Sequence, residues 1–162
     1  THLDTAEMRA IAQSGAVAGL CPTTEANLGD GLFPLAAYLD AKGALGIGSD
    51  SHISVSPVEE LRWLEYGQRL VTRHRNIAAR RPGDSVGEML WGAALSGGRT
   101  NSPTTAPTTA SVIDTFLFAG NVPLVRDVLA GGEWVVRDFR HRDEPRIAAR
   151  YRATLGQLAS AA

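Results

Sequence analysis

Apolar residues fall in short, differently spaced groups along the first hundred positions, and each spacing predicts an element. Asp4-Thr5-Ala6-Glu7 has the form of a capping box. Met8, Ala10, Ile11 and Ala12 follow it, which predicts a helix over 5–14 stopped at Gly15. Ala16-Val17-Ala18-Gly19-Leu20 is an apolar run without alternation, the pattern of a strand buried on both faces in a parallel sheet. Cys21-Pro22 ends it, and a polar loop over 23–31 leads to Phe33-Pro34-Leu35-Ala36-Ala37-Tyr38-Leu39, a helix with Pro34 in its first turn. Gly43 closes that helix. Ala44-Leu45-Gly46-Ile47-Gly48 is a second buried strand, and it delivers Ser49-Asp50-Ser51-His52 at its C-terminal end. Ser56-Pro57-Val58-Glu59 is another capping box, after which Leu61, Leu64 and Val71 mark one face of a helix expected over 57–79. Ser85-Val86-Gly87-Glu88 starts one more, through Met89, Leu90, Ala93 and Ala94 to Gly97-Gly98.

The pattern changes at 99–110, a Thr/Pro-rich tract that can bury almost nothing and reads as a linker. Beyond it, 115–120, 124–129 and 134–138 are expected strands, the last two joined across Ala130-Gly131-Gly132-Glu133. Ile147, Tyr151, Leu155 and Leu158 share one face of a helix over 144–159. Alternating strands and helices over 1–98 predict an α/β fold with parallel strands, either a barrel or a doubly wound sheet. A complete (β/α)8 barrel needs roughly 250 residues, so 1–98 can form only a sector of one. A small β element and a C-terminal helix then occupy 111–162.

The 162 residues carry 16 Lys and Arg against 17 Asp and Glu, which excludes a nucleic-acid polycation and an acidic tail. Arg69, Arg73, His74 and Arg75 gather where a helix C-terminus would expose carbonyls, so they read as cations complementing it. No apolar run approaches the roughly 20 residues of a membrane-spanning helix. The start carries no leader pattern and no Met, so the chain reads as cut at its front. One cysteine excludes an internal disulfide framework and fits a cytoplasmic location.

Asp50 is the first candidate for chemistry. It follows a glycine-flanked strand, at the sheet edge where α/β enzymes place catalytic residues, and a carboxylate there can bind a metal or hold a water. Ser-Asp-Ser is also ordinary turn chemistry, and that reading competes. His52 can donate to a substrate, orient Asp50, or simply cap the loop. Thr23, Thr24, Glu25, Asn27 and Asp30 crowd the loop after the other strand and face either the same mouth or solvent. Cys21 has no basic neighbour in sequence and reads as a small buried hydrophobe. His2 near Asp4 invites a metal reading, but a lone histidine seldom makes one.

Cys21-Pro22-Thr23-Thr24-Glu25-Ala26-Asn27-Leu28-Gly29-Asp30-Gly31, Gly48-Ser49-Asp50-Ser51-His52 and Glu60-Leu61-Arg62-Trp63-Leu64-Glu65-Tyr66-Gly67-Gln68-Arg69-Leu70 together closely resemble the formimidoylglutamate deiminases of the amidohydrolase superfamily. The resemblance covers 1–98 and resumes from Asp114, where Asp114-Thr115-Phe116-Leu117-Phe118-Ala119-Gly120-Asn121 matches the family's terminal β region. It implies the C-terminal sector of a (β/α)8 barrel in a homodimeric enzyme. One divalent metal, usually zinc, activates water against N-formimidoyl-L-glutamate there, giving N-formyl-L-glutamate and ammonia in histidine degradation. By the resemblance Asp50 is both a metal ligand and the proton acceptor, while His52, Thr24 and Glu25 stand on the substrate side.

The family's His-x-His strand, its fifth-strand histidine and its carboxylate-binding arginines have no counterpart here. Its strand-six histidine falls before Thr1, so His2 is not the catalytic one. A catalytic zinc takes about three or more protein ligands, so the chain alone is expected to be inactive. Two other readings remain: an inactive remnant that associates through a sheet edge, and another amidohydrolase such as a guanine-type aminohydrolase. The latter shares the Ser-Asp turn but not the loop from Thr23 to Gly31.

Overall fold

Helix α1 (Thr5–Ser14) begins where its capping box places it: Asp4 accepts from the amides of Ala6 and Glu7, and Glu7 accepts from the Asp4 amide. Gly15 at φ 80° ends it in the left-handed region that glycine enters without strain. Strand β1 (Val17–Leu20) follows, then α2 (Pro22–Leu28), α3 (Leu35–Asp40), β2 (Ala44–Ile47), α4 (Pro57–Thr72), α5 (Val86–Gly98) and α6 (Ala110–Phe118). The computed structural model describes residues 1–98, 110–121 and 123–160. It divides into two units, Thr1–Gly120 and Asn121–Ala162. The expected linker over 99–110 lies outside the described residues except for Ala110, which opens α6.

In the first unit β1 and β2 pair parallel and in register, Val17 with Ala44 through Leu20 with Ile47. Side chains alternate across a strand, so Ala18, Leu20, Leu45 and Ile47 share one face. That face meets the core, where Leu20 joins Leu35 and Tyr38 of α3, Leu61 and Leu64 of α4, Leu90 of α5 and Leu117 of α6. Burying each such side chain contributes roughly 1.5–3 kcal/mol. The opposite face, with Val17 and Gly19, is exposed among the described residues. Among the described residues the expectation of strands buried on both faces is therefore met on one face.

Three expectations are corrected. Residues 23–31 are not a polar loop, because α2 occupies their first part, with Pro22 in its first turn and Gly29 closing it at φ 75°. Its polar threonines are satisfied by other segments, which composition does not reveal. Helix α4 stops at Thr72 and does not reach 79: Arg73 turns left-handed at φ 57°, and the chain folds back so that buried Glu65 accepts from the amides of Ile77 and Ala78, each over 2.9 Å. Arg69 pairs with the same carboxylate over 2.8 Å and lies above the rings of Tyr66 and Phe118. The strand expected over 115–120 is the end of helix α6. Ile113, Phe116 and Leu117 recur at helical spacing against the core, Phe116 meets Trp91 edge to face, and Arg62 donates to the carbonyls of Leu117 and Gly120.

In the second unit β3 (Val128–Ala130) and β4 (Glu133–Arg137) form an antiparallel hairpin across Gly131 and Gly132, at φ 58° and 82°. Left-handed glycines at both turn positions match the twist of the flanking strands. A third strand, β5 (Arg140–His141), was not legible, because Asp138 and Phe139 make its turn at positive φ without glycine. Helix α7 (Glu144–Ser160) carries the expected apolar face, with Ile147, Tyr151, Leu155 and Leu158 all exposed.

Glu65→Ala leaves the amides of Ile77 and Ala78 without their acceptor and is expected to cost about 3 kcal/mol, read as a fall in the urea midpoint at constant slope. In the hairpin, Asp127 accepts from the Asp138 amide over 2.9 Å and from Arg126 Nε over 2.8 Å, and these bonds hold its carboxyl below the ordinary carboxylate value. The bond is therefore present above the ordinary aspartate range and lost as pH falls through the lowered value. Amide exchange at Asp138 should lose protection over that acid range, and Asp127→Asn should abolish the pH dependence.

Candidate functional site

The parallel register brings the ends of β1 and β2 together. The Gly48 amide donates to the Leu20 carbonyl over 2.9 Å, carrying the ladder one step beyond the strands. A side chain at Gly48 would stand 3.7 Å from Cys21 Sγ, so the two strand exits lie side by side. The chain then turns over Ser49–His52, closed by the His52 amide on the Ser49 carbonyl over 3.0 Å. Asp50 sits within that turn at φ 49°, a conformation costly for most side chains and least so for Asn and Asp.

Helix α2 is fastened to this turn from two directions. Thr24 Oγ1 donates to the Ser49 carbonyl over 2.7 Å. Behind it, Thr23 donates through its amide over 2.9 Å and its hydroxyl over 2.5 Å to the two oxygens of Glu60, a carboxylate that is 1% exposed. Glu25 folds back on its own helix, accepting from the Cys21 amide over 2.8 Å. A buried carboxylate is stable only when its lone pairs find donors, and Glu60 finds them in the first turn of α2, whose amides have no partner within the helix.

The edge thus gathers Asp50, His52, Thr24 and Glu25. Their hydrogen bonds differ from the sequence reading. The Thr24 hydroxyl and one Glu25 oxygen are engaged with backbone, so these atoms hold the edge together. Cys21 is half-buried, and its thiol is pushed above the ordinary value first by burial and then by the negative charges of Asp50, Glu25 and Glu60. That direction fits the small packed residue that the sequence predicts. His2 meets Asp30 at 3.9 Å with both side chains well exposed, away from any cluster of ligands. Among the described residues no group of three or more His, Cys, Asp or Glu is placed to hold a metal ion.

Sequence reasoning missed Glu60. The signal was present: Leu61 and Leu64 mark the buried face of α4, and positions 60 and 65 fall on the same face by helical spacing. Acids at buried helical positions call for donors elsewhere. A cavity of about 370 Å³ lies instead along the C-terminal half of α4, between Tyr66, Arg69, Arg75, Asp84, Asp114 and Phe118. It contains none of the strand-end residues.

Removing the Asp50 charge should let the Cys21 thiol ionise more readily. With one cysteine in the chain, the pH profile of alkylation by iodoacetamide reports it directly, and Asp50→Asn is expected to move that profile to lower pH.

No family model matches the chain. In sequence it is 48% identical over 181 aligned residues to a formimidoylglutamate deiminase of Pseudomonas aeruginosa, the alignment taking in 98% of this chain and 40% of that protein. In structure it superimposes on the crystal structure of an amidohydrolase from Brucella melitensis with a TM-score of 0.88 at 35% identity, again over 98% of this chain and 40% of the other. The chain therefore spans about two-fifths of the length of these relatives. Over that stretch it is a homologue of formimidoylglutamate deiminase, with the α/β fold of the corresponding part of an amidohydrolase.

Proposed function

We propose that this chain is the C-terminal part of a formimidoylglutamate deiminase, and that Asp50 is its proton acceptor. The observation that carries this reading is the placement of Asp50 in a fixed turn at the C-terminal end of a parallel strand, in a chain 48% identical to that enzyme. In this reading β1 and β2 are late strands of a (β/α)8 barrel, whose catalytic groups stand at the C-terminal ends of its strands. Parallel, in-register pairing with helices between the strands supports it.

The reaction adds water to the formimino carbon of N-formimidoyl-L-glutamate and releases ammonia, leaving N-formyl-L-glutamate. Asp50 takes the proton as water adds, and the same carboxylic acid can return it to the departing nitrogen. His52 stands on the substrate side of the turn. Thr24 and Glu25 shape the mouth through the hydrogen bonds that hold α2, and Glu60 backs them. A divalent metal, zinc in this family, would lower the pKa of the attacking water when bound. This chain offers it Asp50, and a site of about three protein ligands requires the others from outside the described residues. A cytoplasmic location and a homodimer of the complete enzyme belong to the same reading.

A second reading, an association fragment without activity of its own, is favoured by one observation. Val17 and the apolar face of α7 are exposed, and surfaces of that kind invite a partner.

The deciding experiment measures ammonia release from formimidoylglutamate by this chain, and by this chain mixed with the part of the Pseudomonas aeruginosa relative that it does not cover. Activity is expected in the mixture only, falling about 10²-fold or more in Asp50→Asn. Turnover that survives Asp50→Asn would remove Asp50 from the mechanism, and silence of the mixture would favour the association fragment.

A further inference from the structure

The hydrogen bond made by His52 decides where its ring proton sits. The backbone N–H of Ser54 donates to His52 Nδ1 over 3.2 Å. A ring nitrogen can accept only when it carries no proton, so the neutral imidazole must hold its hydrogen on Nε2. Ser54 is itself fixed, because its hydroxyl donates to Glu59 Oε2, and the Glu59 amide donates to Ser56 Oγ at the start of α4. The other end of the histidine is tied by its own amide to the Ser49 carbonyl.

These bonds define the loop, because its apolar side chains do not. Ile53 is 97% exposed and Val55 80% exposed, so neither packs the segment into place. Order between β2 and α4 therefore rests on polar contacts that converge on Ser54.

We propose that Ser54 and Glu59 are positioning residues that hold His52 in the Nε2–H tautomer. The Asp50 edge then presents one fixed N–H donor beside one carboxylate. The inference rests on the reading of this edge as the reacting one and narrows the substrate to molecules with a hydrogen-bond acceptor, such as a carboxylate, in reach of the ring. A donor with its proton locked on one nitrogen discriminates against ligands lacking the acceptor, since its N–H would then be left unpaired.

The test reads the tautomer directly, by two-bond ¹H–¹⁵N correlation on the labelled chain in mildly alkaline buffer, where imidazole is neutral. The four histidines are told apart with His52→Gln, and exposed His74 supplies the unconstrained reference. His52 is expected as a single Nε2–H form. Ser54→Pro, which removes the donor N–H, should raise its Nδ1–H fraction to that of His74, and Glu59→Gln should raise it part of the way. Ser54→Ala keeps the N–H but loses the hydroxyl's bond to Glu59, so it should raise the Nδ1–H fraction part of the way, as Glu59→Gln does. A tautomer mixture like that of His74 in the unaltered chain overturns the proposal, as does a folded Ser54→Pro or Glu59→Gln variant with the tautomer unchanged. The spectrum does not depend on turnover, so an inactive mixture in the ammonia assay and a failed tautomer prediction are separate results.

Discussion

The in-register parallel pairing of β1 and β2 is the constraint on which the first unit depends. Because Leu20 lies opposite Ile47, both strands end at the same level, and the next residues, Cys21 and Gly48, emerge side by side. A slip of one residue would turn Leu20 and Leu45 away from the helices and exchange buried leucine for open space. The core fixes the register, and the register fixes which turn and which helix N-terminus share an edge.

Helix α4 serves the two ends of this arrangement with two buried carboxylates. Glu60, near its start, receives α2, while Glu65, more than a turn later, receives the segment that leads toward α5. Both lie among leucines and both satisfy backbone amides of distant chain. Buried acids used in this way give direction to packing that leucine alone would leave loose, since each gathers donors on both of its oxygens.

Much of the fold was legible because its signals are local. The capping box at Asp4, the turn glycines at 131 and 132, and the apolar face of α7 are patterns a few residues long, and each element formed where its pattern lay. What escaped depended on partners far along the chain. Residues 23–31 are polar, yet Thr23 and Thr24 are buried because Glu60 and the Ser49 carbonyl accept from them. Residues 115–120 are apolar without alternation, and only contact with α5 distinguishes the end of a helix from a strand. At the site, the prominence of Asp50 after a glycine-flanked strand was readable. The engagement of Thr24 and Glu25 with backbone was not, because hydroxyls and carboxylates look alike in sequence whether they face a ligand or the chain.

The positive φ of Asp50 narrows what evolution can try at this position. In that conformation aspartate, asparagine and glycine are tolerated, whereas β-branched and bulky residues strain the backbone before any chemistry is selected. Glutamate and cysteine, two other side chains able to bind a metal or take a proton, enter at a larger conformational cost. The turn therefore tilts the accessible repertoire toward short polar side chains and glycine. An inactive descendant is expected to drift toward asparagine or glycine here, the substitutions this backbone conformation favours.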